Sequence, residues 1–143
     1  MIRIERRVVS VVFADLVGFT GLSERLDPED VAGIQEAYFA RAEETVTSHG
    51  GRTEKYIGDA VMATFGVAAA TDEDAVHAVR AATQLVVDLR EVETGLGLAA
   101  GALDLRVGVN TGEVVVTRRG ADWRVTGDVV NTAARLQAAA APG

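Results

Sequence analysis

The chain has 143 residues, 48% hydrophobic and 24% charged, the balance of a single globular domain with an ordinary core. It has no cysteine and only two histidines, His49 and His77, which excludes a disulfide framework, a thiolate nucleophile and a His- or Cys-rich metal site. A net charge of −7 argues against nucleic-acid binding, no apolar run reaches membrane-spanning length, and Met1–Arg7 lacks a signal peptide's apolar segment, so a soluble, cytoplasmic domain without membrane insertion is expected.

Arg7–Ala14 (RVVSVVFA) is a Val-rich apolar run of strand length, suited to burial on both faces and ended by Asp15. DLVGFTGLS follows as a Gly-containing connection. Asp27-Pro28-Glu29-Asp30 reads as a helix start with an Asp N-cap, and Val31, Ile34, Tyr38, Ala42 and Val46 form its apolar stripe up to Ser48. Gly50-Gly51 stops that helix. Thr53–Ile57 and Ala60–Phe65 predict a hairpin turning at Gly58-Asp59. A second helix opens at Asp72–Asp74, with Ala75, Val79, Ala82, Val86 and Leu89 as its predicted core stripe, and the Gly-rich segment 94–101 reads as a loop. Leu103–Val109 and Glu113–Thr117 predict two strands parted by a turn at Asn110-Thr111-Gly112. A polar loop, a short strand Trp123–Thr126 and a third helix Asp128–Ala141 complete the chain. This order predicts an α+β, ferredoxin-like sandwich with a βαββαβ core.

Two carboxylates stand out. Asp15 lies where a buried strand stops, and Asp59 lies in the hairpin turn. If the first strand and the hairpin are sheet neighbours, both project at one edge, where their repulsion would be relieved by a divalent cation of the Mg²⁺ or Mn²⁺ type. The plainer alternative is a helix cap for Asp15 and a turn residue for Asp59. Gly18 would let the amides around Val17–Thr20 face a phosphate, although no Walker A pattern occurs in the chain. Thirteen of the 14 basic residues are Arg; the exception, Lys55, is either chance or a place where a compact ammonium is needed. Asn131 and Arg135 are four apart on an otherwise Ala/Val-rich helix, which suits either a solvated face or a phosphate clamp with an orienting amide.

Four segments in this order, FADLVGFT, EKYIGDAVMATFG, LRVGVNTGEV and VTGDVVNTAARL, resemble the catalytic domain of class III nucleotide cyclases, the adenylate and guanylate cyclase family, over about residues 6–141. The wording is closest to the bacterial adenylate cyclases. The resemblance implies conversion of ATP to 3′,5′-cyclic AMP and pyrophosphate in a head-to-tail homodimer with shared sites. It implies two divalent metal ions, Mg²⁺ or Mn²⁺, on Asp15 and Asp59 with a backbone carbonyl near Leu16. It assigns Lys55 and Arg124 to the base, Arg106 to the triphosphate, Gly18, Phe19 and Thr20 to the phosphate loop, and Asn131 and Arg135 to the transition state. One chain would supply Asp15, Asp59 and Arg106, and the other Lys55, Arg124, Asn131 and Arg135.

Two departures from the family pattern bear on function. Position 124 is usually Asp or Thr in adenylate cyclases and is Arg here, a side chain that cannot accept a hydrogen bond from the adenine amino group. Lys55 still favours ATP, because guanylate cyclases usually carry an acid there. Family members also run on through further strands, one bearing a lysine for the phosphates, so 1–143 is expected to be a single catalytic domain lacking its last strands. The alternative reading is a weakly active or inactive cyclase-like module that binds nucleotide and dimerises to regulate attached domains. A diguanylate cyclase has no support, since the hairpin turn reads IGDA and no GGDEF-type turn occurs.

Overall fold

The computed structural model describes residues 1–143. In chain order the elements are β1 (Ile2–Val17), α1 (Phe19–Ser23), α2 (Pro28–Ser48), β2 (Arg52–Ile57), β3 (Ala60–Phe65), α3 (Asp74–Gly95), β4 (Asp104–Arg119), β5 (Asp122–Thr126) and α4 (Asp128–Ala139). The strands form one antiparallel sheet in the order β2-β3-β1-β4-β5. Its first four strands, with α2 and α3 packed on one face, are the expected βαββαβ sandwich, and β5 extends the far edge.

The sheet's spine is the β1–β4 pair, which stays in register from Ile2↔Arg119 to Val17↔Asp104. This corrects two sequence expectations. The first strand is longer than Arg7–Ala14, because the charged stretch 2–7 pairs with the second half of β4. Asn110-Thr111-Gly112 is not a turn: these residues lie inside β4, opposite Val11, Ser10 and Val9. The glycines there serve helix packing. A Cβ on Gly108 would fall 2.4 Å from the Gln137 nitrogen and 2.5 Å from the Ala133 oxygen, and one on Gly112 would fall 2.6 Å from a Val129 methyl. Glycine at 108 lets the backbone of α4 rest directly on β4, and glycine at 112 makes room for the Val129 side chain.

Side chains alternate across the sheet. Ala14, Leu16, Val61 and Leu105 meet Ile34, Tyr38, Ala42, Leu85 and Leu89 of α2 and α3. On the other face Val9, Val11, Phe13, Met62, Val114 and Val116 pack with Ala133 of α4. The α2 span is as predicted, and Asp27 is its N-cap, but the Asp27 side chain makes no capping bond; its backbone oxygen takes the Asp30 and Val31 amides instead. The α3 stripe is shifted from the predicted one: Ala78, Ala81, Ala82, Leu85 and Leu89 are buried, whereas Val79 is 54% exposed. Two buried acids set that rotation. Asp88 accepts from Gln84 Nε2 at 2.8 Å, Arg41 Nη2 at 3.2 Å and the Thr45 hydroxyl, joining α3 to α2. Glu93 accepts the Leu103 amide at 3.0 Å and pairs with Arg90, closing the loop before β4. Burial alone would raise the Glu93 carboxyl, but the Leu103 amide and Arg90 outweigh it and hold the carboxyl below its ordinary range.

Candidate active site

Asp15 sits near the end of β1, paired with Ala60 of β3 on one side and Arg106 of β4 on the other. Asp59 is in the turn that leads into β3, and its carbonyl accepts the Leu16 amide at 3.4 Å. The hairpin therefore delivers its carboxylate to the strand end that carries Asp15. Partial burial, and after it the charge of Asp59, push the Asp15 carboxyl above its ordinary range; Arg106 and a hydrogen bond from Leu16 pull it down without cancelling the rise. The Nε of Arg106 is buried and has no hydrogen-bond partner. Such an unmet donor on the strand position opposite Asp15 marks a place prepared for another group.

Behind the carboxylates stands α2. The Tyr38 hydroxyl donates to the Ala14 carbonyl at 3.1 Å, pinning the helix to the residue before Asp15. Burial, then the charges of Asp15 and Asp59, raise the Tyr38 phenol far above its ordinary value, so it stays a neutral donor. Gln35, which the sequence reading did not single out, donates from Nε2 to Asp59 Oδ1 at 2.6 Å. A glutamine one place after a core isoleucine carries no local signature; only the fold brings it to the turn. In front of the pair, Gly18 adopts a left-handed φ of 80° and starts α1, with Phe19 buried and Thr20 exposed. Gly18, not Asp15, occupies the N-cap position of α1, so the plainer reading of Asp15 as a helix cap does not hold.

Asn131 and Arg135 are exposed on α4. Val129, Ala133 and Gln137 are the positions that touch β4. Residues two further on lie about 200° round the helix, so Asn131 and Arg135 face away from their own sheet. Arg135 makes one bond within the helix, to the Thr132 hydroxyl at 3.1 Å. Lys55 is exposed on β2, opposite Met62 and on the α4 side of the sheet, with Tyr56 pointing to α2. The register shift between Thr53 and Lys55 is a bulge at Glu54, whose carboxylate takes the Thr64 hydroxyl at 2.7 Å. The Arg52 side chain reaches from β2 across the sheet to Trp123 on β5: the guanidiniums of Arg52 and of Arg118 on β4 lie 4.6 and 3.7 Å from the ring centre of Trp123. Arg124 alternates with Trp123 to the other side of β5, beside Thr117 and Arg119, and is exposed. Asp15, Leu16, Asp59 and Arg106 are thus gathered at one end of the sheet, while Asn131 with Arg135, Lys55 and Arg124 stand apart from them.

The donor set at the strand end suits a hard divalent cation. Nowhere in the molecule do three or more His, Cys, Asp or Glu side chains form a metal-binding cluster. A pair of carboxylates at one strand end, with the Asp59 charge adding to the proton affinity of Asp15, fits an ion of the Mg²⁺ type, which is held by one or two carboxylates with substrate phosphates completing the shell.

A family model described as "Adenylate and Guanylate cyclase catalytic domain" matches residues 4–143. The chain belongs to this family. As a cyclase catalytic domain it is 35% identical over 139 residues to adenylate cyclase 1 of Rhizobium meliloti, a match covering 92% of this chain and 21% of that protein. It is 31% identical over 133 residues to the terminal-differentiation-specific adenylate cyclase of Dictyostelium discoideum, covering 90% of this chain and 6% of that one. The cyclase domain thus spans a quarter or less of the length of these curated relatives. Among solved structures, the adenylyl cyclase CyaB from P. aeruginosa superposes with a TM-score of 0.89 at 30% identity, covering 98% of this chain and 76% of that one. The guanylyl cyclase Cya2 superposes with a TM-score of 0.86 at 35% identity, covering 96% and 73%. Overall likeness to an adenylyl and a guanylyl cyclase is about equal, so base choice rests on individual residues. No helix of the domain is long and apolar enough to cross a membrane.

Proposed function

We propose that this domain is an adenylate cyclase that works as a head-to-tail homodimer, each site shared between two copies. The observation that carries the reading is the Asp15–Asp59 pair, in which the charge of Asp59 helps raise the Asp15 carboxyl, with the unmet donor of Arg106 opposite Asp15 in the sheet. In this reading Asp15 and Asp59 hold two divalent ions, Mg²⁺ or Mn²⁺, with the Leu16 carbonyl as a backbone ligand. Such ions, when bound, activate the ribose 3′-hydroxyl and neutralise charge on the departing pyrophosphate. Arg106 and the amides of Gly18, Phe19 and Thr20 hold the triphosphate. The second copy contributes Asn131 to orient the ribose and Arg135 to stabilise charge at the α-phosphate.

The 3′-oxygen bonds to the α-phosphorus as the bond from that phosphorus to the bridging oxygen breaks. The hydroxyl proton leaves to solvent and pyrophosphate departs. The outward direction of Asn131 and Arg135 supports sharing, because in one chain they point away from the sheet whose end carries the carboxylates. Lys55 supports ATP, since its ammonium can donate to adenine N1 and not to the protonated N1 of guanine. Its exposure on the α4 side of the sheet leaves it open to the second copy.

The deciding experiment incubates the chain with ATP or GTP and Mn²⁺ and measures cyclic AMP, cyclic GMP and pyrophosphate. Cyclic AMP in excess of cyclic GMP is expected. Cyclic GMP in excess would reassign the substrate, and no product from either would favour the non-catalytic, regulatory alternative.

A further inference from the structure

Asp59 sits half-buried in a two-residue turn, after a glycine at φ 59°. One hydrogen bond to another side chain holds its carboxylate. Gln35 Nε2 donates to Asp59 Oδ1 at 2.6 Å, across 24 residues of sequence. An ionised carboxylate only accepts, so the amide presents its nitrogen and not its oxygen. Gln35 lies one helical turn before Tyr38, whose hydroxyl donates to the Ala14 carbonyl, so adjacent turns of α2 hold the hairpin turn and the strand end that carry the carboxylates. The amide is neutral. A Lys or Arg there would cancel the charge a cation needs, and an apolar residue would leave Asp59 free to turn.

We infer that Gln35 is the positioning residue of this site: it occupies Oδ1 of Asp59 and thereby presents Oδ2 to a divalent cation. The inference rests on the metal reading of Asp15 and Asp59, and it adds a group on α2 that acts through Asp59 without touching the ion. Outer groups that orient a ligand typically change metal affinity 10–100-fold when removed.

The test titrates Mn²⁺ alone into the whole chain, following free Mn²⁺ by electron paramagnetic resonance. The variants are Gln35→Met, of like length without a donor, Asp59→Asn, and the two combined, with thermal unfolding in EDTA checking that each is folded. Gln35→Met is expected to weaken Mn²⁺ binding about tenfold. In the Asp59→Asn background it should change nothing further, whereas a purely structural role would weaken binding in both backgrounds. Equal affinity of wild type and Gln35→Met, alongside weakened binding in Asp59→Asn, would overturn the role of Gln35 and leave the metal reading standing. Unchanged binding in Asp59→Asn would overturn both.

Discussion

Asp15 and Arg106 stand opposite each other in the β1–β4 register, yet the guanidinium does not bring the carboxyl back to its ordinary range. A folded-state proton affinity above that of the unfolded chain makes ionised Asp15 a cost to stability. The cost is fully present above the raised folded value and is relieved as pH falls from there towards 3.8. Asp15→Asn should therefore raise the thermal midpoint at pH 7 in EDTA, and the advantage should shrink as the pH approaches 4. Saturating Mn²⁺ should reverse the order, stabilising wild type more than the variant. Differential scanning fluorimetry across pH, with and without Mn²⁺, reads all of this.

The seat of α4 on β4 gives a second expectation. A methyl on Gly108 meets backbone atoms of Gln137 and Ala133, which cannot rotate away. Gly108→Ala should cost about 1–3 kcal/mol as an overpacking substitution. It should also lower kcat by more than that stability loss explains, because α4 carries Asn131 and Arg135. Gly95→Ala, with nothing within 4 Å of the added methyl, is the control for the substitution itself. Urea unfolding and single-temperature kinetics on both variants separate the two effects.

Sharing of sites between copies predicts complementation. Asp15→Ala and Asn131→Ala chains should each be inactive alone. Mixed in equal amounts, half of the dimers are mixed and each of those keeps one intact site, so activity should recover to about a quarter of wild type. A mixture as inactive as its components would exclude shared sites.

Base choice should follow Lys55. Lys55→Glu should shift the ATP-over-GTP ratio of kcat/KM towards GTP by about tenfold to hundredfold, the equivalent of roughly 1–3 kcal/mol for one base-edge contact. Arg124 lies on the side of β5 away from Trp123. Arg124→Thr therefore tests whether it turns towards the base in the dimer: a higher ATP-over-GTP ratio indicates that it does, and an unchanged ratio leaves selectivity to Lys55.

The parts legible in the sequence were those with a local cause. Pro28 and the stripe from Ile34 to Val46 set α2, and Gly58-Asp59 set the hairpin. The misreadings came from partners distant in sequence. Gly112 looks like a turn residue until Val129 is packed on it. The stripe of α3 is chosen by Asp88 and Glu93, acids whose burial depends on Arg41 and Thr45 of another helix, and on Arg90 with the Leu103 amide. The carboxylates themselves were legible as a pair because a strand end and a hairpin turn are commonly neighbours. Gln35 was not, because its relation to Asp59 exists only once α2 crosses the sheet.

The direction of Asn131 and Arg135 has a kinetic consequence. If each chain's α4 completes only its partner's site, an isolated chain is silent however much nucleotide surrounds it. At concentrations where single chains predominate, velocity would rise as the square of the amount of protein, and only once pairs predominate would it become proportional. Anything that holds two copies together would then raise output without altering an atom of the catalytic apparatus, and the domain would report proximity by its rate.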